Sequence, residues 1–262
     1  MAIKNGLRTV PAGNIAAPPY TKDSYSWDAQ LSLTGKPLRN ATGRYCLEEN
    51  FDHLPDVNTN ISIVYNLNFE ILGTNATVAD FSWSTINGGM LLETGSADDD
   101  QVIVLPHLDT KQSAWTGVKW GTENQVIWEA QIMTTAVITP VLIWAGLKLT
   151  NTPVIATDDN QVYFRYSTDD SDTTIRCITS IAGTDTNVDS GITVAVATEY
   201  NLRIEIDSLR QATFYINDVS VHKTAALTND IDLIPYVGLM QLGAGDSSLV
   251  LSNEKISRIL FE

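Results

Sequence analysis

The sequence predicts an all-β sandwich preceded by an extended N-terminal arm. Three observations carry that expectation. From about residue 61 apolar and polar residues alternate, turn-forming clusters separate the alternating runs, and residues 1–60 show no apolar period. A strand with one buried and one solvated face alternates in this way. Roughly a dozen such runs, with no convincing amphipathic helix, mean a sandwich or barrel.

Residues 1–60 come first. Pro11, Pro18, Pro19, Pro37 and Pro55 break any long element, and Gly6, Gly13, Gly35 and Gly43 add turns. Tyr20, Tyr25, Trp27 and Tyr45 are scattered without a period, and one short strand is expected near Gln30–Leu33. An aromatic arm of mixed charge is unlike a flexible Gly/Ser linker and suits docking on a partner. The body, residues 61–262, then alternates. Ile61, Ile63 and Tyr65 begin it, followed by Val126, Trp128, Ala130 and Ile132, and by Val162, Phe164 and Tyr166. Leu202, Ile204 and Ile206 alternate with Arg203, Glu205 and Asp207. Leu142–Leu149 reads as a more buried strand. Phe214, Ile216, Val219 and Val221 flank Asn217-Asp218, a two-residue hairpin turn. Turns are expected at Asn87-Gly88-Gly89, Ser96–Asp100, Thr157–Asn160, Thr168–Asp172, Gly183–Asn187 and Gly243–Ser247.

Composition narrows the function classes. The chain has 262 residues, 44% hydrophobic and 18% charged, which excludes wholesale disorder. No apolar run approaches the roughly 20 residues of a membrane helix, and the first twenty residues lack the apolar core of a secretory signal. The expectation is therefore a protein made in the cytoplasm, without membrane partners. A formal charge of −15 argues against nucleic acid, which demands a basic surface. Residues 1–60 hold six basic and six acidic side chains, so the body carries the whole surplus. Cys46 and Cys177 fit no metal or redox spacing and read as reduced thiols.

The order of elements in the second half carries a resemblance. Val126-Ile127-Trp128-Glu129 is followed by Ile143-Trp144-Ala145-Gly146-Leu147, then by residues 158–166 (DDNQVYFRY) and Tyr200-Asn201-Leu202-Arg203-Ile204-Glu205-Ile206-Asp207. Phe214-Tyr215-Ile216-Asn217-Asp218, Asp232-Leu233-Ile234-Pro235-Tyr236 and Glu254-Lys255-Ile256-Ser257-Arg258-Ile259 complete it. This series resembles the concanavalin A-like, laminin-G-like jelly roll found in structural proteins of tailed, particularly marine, bacteriophages. It covers about residues 61–262. The same sandwich hosts lectins, glycosidases and inert modules, so the fold alone does not decide function.

Chemistry is sparse. Within this fold the resemblance implies that β-glucan-cleaving members use a strand reading Glu-X-Asp-X-(X)-Glu. Glu205-Ile206-Asp207 matches two positions, and the second Glu is missing. Glu205 and Asp207 are expected on the solvated face, without catalysis. No nucleophile elbow or phosphate loop is present, and His53, His107 and His222 are far apart in sequence. Asp98–Asp100, Asp158-Asp159 and Asp169–Asp172 are candidate calcium ligands in turns, yet none fits the twelve-residue calcium loop, and Asp also caps turns. No cofactor and no metal are assigned. Trp115 and Trp120 flank a Gly-containing stretch and are the candidates for stacking on a glycan.

The expectation is a non-enzymatic virion protein, specifically a capsid decoration protein. It is expected as a homo-oligomer, a trimer in the most specific version, on the major capsid protein. The arm docks through Arg8, Tyr20, Tyr25, Trp27, Arg39 and Arg44. The alternative is a tail-fibre or receptor-binding module recognising host glycans, although no heptad stalk is present. A glucan-cleaving hydrolase comes third.

Overall fold

The structure, a computed structural model, describes residues 43–57, 68–85, 88–107, 113–149 and 158–259. The strand expected over Ile61–Tyr65, the short strand at Gln30–Leu33, and Arg8, Tyr20, Tyr25, Trp27 and Arg39 lie outside these residues. Among the described residues the chain forms β1 (Arg44–Glu49), β2 (Asp56–Val57), β3 (Phe69–Leu72), β4 (Phe81–Trp83), β5 (Met90–Glu93) and β6 (Gln101–Pro106). A one-turn helix, α1 (Ala114–Gly117), precedes β7 (Ile127–Thr134), β8 (Val141–Lys148), β9 (Gln161–Ser167), β10 (Thr174–Ile181) and β11 (Thr184–Thr193). Then come β12 (Glu199–Ile206), β13 (Gln211–Ile216), β14 (Val219–Ala226), β15 (Ile234–Gln241) and β16 (Ser248–Ile259).

Two sheets result. The first runs β14-β13-β12-β7-β16-β5-β4, with β1 also pairing β16. The second runs β11-β10-β9-β8-β15-β6-β3-β2. The register pairs are antiparallel except β2–β3. The core lies between the sheets. Trp128, Ala130, Leu202, Ile204, Phe214 and Ile256 of the first face Val104, Ala145, Leu147, Phe164, Val237 and Leu239 of the second, all buried. Phe164 meets Phe214 edge-on at 5.1 Å and ties the two sheets. This is the all-β sandwich expected.

The period-2 readings land on strands. The run at 126–133 is β7, Leu142–Leu149 is β8 and the Leu202 run is β12. Asn217 and Asp218 both take positive φ, 50° and 63°, the conformation that turns β13 into β14 in two residues.

The boundary expected at residue 60 falls earlier. The chain divides between Tyr45 and Cys46, and residues 46–57 belong to the sandwich. Burial is the reason. Phe51 is fully buried and meets Phe69 edge-on at 5.3 Å, while Pro55 and Val57 are also buried. The Glu49 carboxylate accepts from the Phe51 amide and from Asn68 Nδ2, both at 2.9 Å. Arg44, assigned to the docking arm, is the first residue of β1.

Candidate functional site

The outer face of the first sheet carries β12, the one strand among the described residues that resembles a catalytic one in sequence. In β12 the apolar set points inward, so Arg203 and Glu205 point out; across the sheet Arg203 pairs Glu129 of β7 and Tyr215 of β13 in register. These side chains form a network. Arg203 Cζ lies 4.3 Å above the Tyr215 ring, its Nε is 3.3 Å from Glu205, and its Nη1 is 3.6 Å from Asp218 in the β13–β14 turn. Burial, with added repulsion from Glu205, raises the Tyr215 hydroxyl above its ordinary range.

Asp207 serves the turn instead. Its carboxylate accepts from the Leu209 amide at 2.8 Å, the Gln211 amide at 2.9 Å and Lys223 Nζ at 2.9 Å. Desolvation is the largest single influence and opposes ionisation, but these donors together outweigh it and hold the carboxyl below its usual value. The position two residues on is Leu209, exposed in the turn, so no second glutamate completes the strand.

Beside this network is a groove of about 290 Å³ crossing β12, β7 and β16. Asn201 and Arg203 come from β12, Glu129 and Gln131 from β7, and Asn253 and Lys255 from β16. Glu48 of β1 and Asp218 close its two ends. Lys255 Nζ lies 3.5 Å from Glu129. Desolvation disfavours the ammonium, yet Glu129 and neighbouring acidic groups overcome this and raise its pKa. Gln131 Nε2 donates to Glu199 at 2.6 Å, and Asn253 Nδ2 reaches Gln131 Oε1 at 3.5 Å.

The outer face of the second sheet is closed. Ile103, Leu105, Trp144, Tyr163, Ile178 and Tyr236 form one cluster there, each at most 5% exposed. The Trp144 indole lies directly over Gly238, its register partner, where a Cβ would occupy the ring's space. Lys148 and Asp158 pair at 3.2 Å, both nearly fully buried, with Lys148 Nζ 5.5 Å from the Tyr236 ring centre. Burial lowers the Lys148 pKa despite Asp158.

Trp115 and Trp120, expected to stack on a glycan, are buried in the structure. Trp115 and Trp120 are 2% and 1% exposed. Trp120 Nε1 donates to the Trp115 carbonyl at 2.7 Å, and Trp115 meets Phe69 edge-on at 4.8 Å. The glycines around them suggested an open loop, but Trp115, in α1 with its Ser113 cap, and Trp120, three residues beyond the helix, are both buried.

The acidic turns have structural partners. Asp100 accepts from Asn75 at 2.7 Å and from the Ala97 amide at 3.1 Å. Asp172 lies 3.2 Å from Arg165 and 3.8 Å from Arg176, and accepts from the Ser167 amide. Among the described residues no group of three or more His, Cys, Asp or Glu is arranged to hold a metal. Cys46 Sγ donates to the Leu47 carbonyl at 3.9 Å, and burial pushes the Cys177 thiol up to about 12. His107 is 3.4 Å from Glu70, whereas His222 lies against Phe214, so these two do not converge.

One carboxyl escaped the sequence reading. Glu254 points between the sheets, is 0% exposed and accepts from Trp128 Nε1 at 2.7 Å. Burial pushes its pKa up to about 8; the Trp128 bond opposes this and Glu49 adds to it. The signal was present as a charged residue on the Trp128-facing side of an alternating strand, at the register position of Ala130.

No protein-family model and no curated sequence matches the chain. Solved structures do. A family 16 endo-glucanase from Bacteroides ovatus superposes with TM-score 0.55 at 8% identity, covering 80% of this chain and 99% of that one. A protein of unknown function from Shewanella oneidensis MR-1 gives 0.54 at 10% identity, covering 82% and 86%. A Bacillus licheniformis β-glucanase gives 0.53 at 12% identity, covering 80% and 97%. Similarity at these identities establishes the architecture: the chain has the concanavalin A-like jelly-roll fold.

Proposed function

We propose that the chain is a non-enzymatic structural protein of a phage virion, most specifically a capsid decoration protein. It is made in the host cytoplasm and held on the major capsid protein as a homo-oligomer, a trimer in the most specific version. The N-terminal residues make the attachment and the sandwich faces solvent. The observation that carries the non-enzymatic reading is the engagement of the outward carboxylates. Retaining hydrolysis needs two approachable carboxyls about 5–5.5 Å apart, one with a raised pKa. Glu205 is tied to Arg203, and Asp207 is held low by a turn and Lys223. Glu254 does have a raised pKa, but it is sealed between the sheets where no polysaccharide reaches. The surplus negative charge carried after residue 60 suits a solvated, mutually repelling outer surface.

The test adds full-length protein, or protein lacking residues 1–42, to virions stripped of it. Stoichiometric density on the heads from the full chain alone is expected. Salt-dependent weakening is expected when Arg8 and Arg39 are reversed in charge. Equal decoration by the truncated protein, or density only at the tail, overturns the assignment. Cleavage of a β-glucan that is lost in Glu205→Gln would overturn the non-enzymatic reading separately.

A further inference from the structure

We propose that Lys148 and Asp158 condense after folding into an amide, a covalent cross-link between the end of β8 and the residues leading into β9. The inference does not depend on the virion assignment. Three observations carry it. First, the reacting groups are in place. Lys148 Nζ lies 3.2 Å from Asp158 Oδ2, with the carboxyl carbon one C–O bond beyond. Groups held at such range react as if present at an effective concentration on the order of 10⁵ M or more. Second, the pair is dry. The two side chains are 5% and 1% exposed, the Tyr236 ring centre is 5.5 Å from Nζ, and the Tyr163 ring centre is 6.3 Å from that of Tyr236. Two charges taken out of water can lose more hydration than their attraction returns, whereas an amide carries no charge and releases a water. Third, two buried groups of this face lack partners among the described residues. They are the Tyr236 hydroxyl and Oε1 of Gln161, the register partner of Lys148. Buried polar atoms are rarely left so. An amide between Lys148 and Asp158 offers what each needs: a carbonyl to accept from the Tyr236 hydroxyl and an N–H to donate to Gln161 Oε1.

The step balances with no change of oxidation state. The ammonium passes one proton to Asp158 Oδ2, leaving an amine and a carboxylic acid. Burial already lowers the Lys148 pKa, which favours that transfer. The Nζ lone pair attacks Cγ and the C–N bond forms. A second proton moves from Nζ to the departing hydroxyl, the Cγ–Oδ2 bond breaks and one water leaves. Burial first, then neighbouring Tyr163 and Asp158, raise the Tyr236 pKa, so its hydroxyl stays protonated and is the donor to the oxygen that remains. The product closes a ring through residues 148–158 and ties together two interior strands of the second sheet.

Intact-mass spectrometry of the full chain reads the bond. The folded protein is expected one water lighter than its sequence, while chain recovered unfolded in urea keeps the full mass and loses the water on refolding. Trypsin cleaves after Lys119, Lys148 and Arg165. It should release residues 120–165 as one piece lighter by a water, in place of 120–148 and 149–165, because an acylated lysine is not cut. Lys148→Arg and Asp158→Ala should each keep the full mass. If either variant fails to fold, the uncut piece from the native chain still locates the link. Tyr236→Phe should slow the loss of water on refolding by on the order of a hundredfold, as removal of an oxyanion donor does. An unchanged rate in that variant overturns the part given to the hydroxyl. Full mass in the folded native chain, ordinary cleavage after Lys148, or a water loss that survives Lys148→Arg overturns the cross-link itself.

Discussion

Glu254→Gln isolates a buried carboxyl that opposes folding at neutral pH. In the folded chain the group is inaccessible and its pKa is pushed from 4.5 to about 8, burial being the main cause. In the unfolded chain it titrates near its ordinary value. The folded state therefore retains a proton that the unfolded state has released, and stability falls as pH rises between about 4.5 and 8. Below that window both states are protonated and nothing is lost; above it the loss is complete. At about 1.4 kcal/mol per pH unit, the full effect is of the order of 5 kcal/mol, of which about 3–4 kcal/mol develops between pH 5 and pH 8. Glutamine keeps the oxygen that accepts from Trp128 Nε1 and removes the titration. Urea unfolding of both proteins at pH 5 and pH 8 gives the answer. The stability difference, variant minus native, should grow by about 3 kcal/mol over that interval. Because each pH compares the two proteins directly, other titrating groups cancel. A difference constant to within about 0.5 kcal/mol would refute the claim that Glu254 is neutral in the fold.

Gly238→Ala drives a methyl group into the Trp144 indole and should cost about 1–3 kcal/mol, read as a lowered urea midpoint with altered tryptophan emission. Asp158→Ala leaves the Lys148 ammonium without its carboxylate in a buried site and should cost about 3–5 kcal/mol; adding Lys148→Met should recover much of it in a double-mutant cycle. Calcium should leave the melting temperature within about a degree, because an ion at a hundredfold its Kd would add about 2.7 kcal/mol and raise it by several degrees.

The architecture was legible where strands alternate. Leu202, Ile204 and Ile206 against Arg203 and Glu205 gave both the strand and its inward face, because side-chain period two follows from the backbone alone. The hairpin at Asn217-Asp218 was legible for the same local reason: these residues tolerate positive φ. β1 and β2 were not legible. A strand of two residues beside Pro55 has no period to display, and Phe51 becomes core only because Phe69, eighteen residues on, is folded against it. Trp115 and Trp120 misled because glycines nearby describe backbone freedom and say nothing of which way a ring turns.

The sequence by itself determined the all-β class, the strand faces, the acidic body and the incomplete Glu-X-Asp strand. Each depends on neighbours within a few residues or on composition. Only the tertiary structure decided which polar groups meet. Arg203 finds Tyr215 and Asp218 across a hairpin, Lys255 finds Glu129 across two strands far apart in sequence, and Glu254 is sealed against Trp128. Register fixes those pairings, and register is set by the packing of both sheets on one core, which no single stretch of sequence specifies.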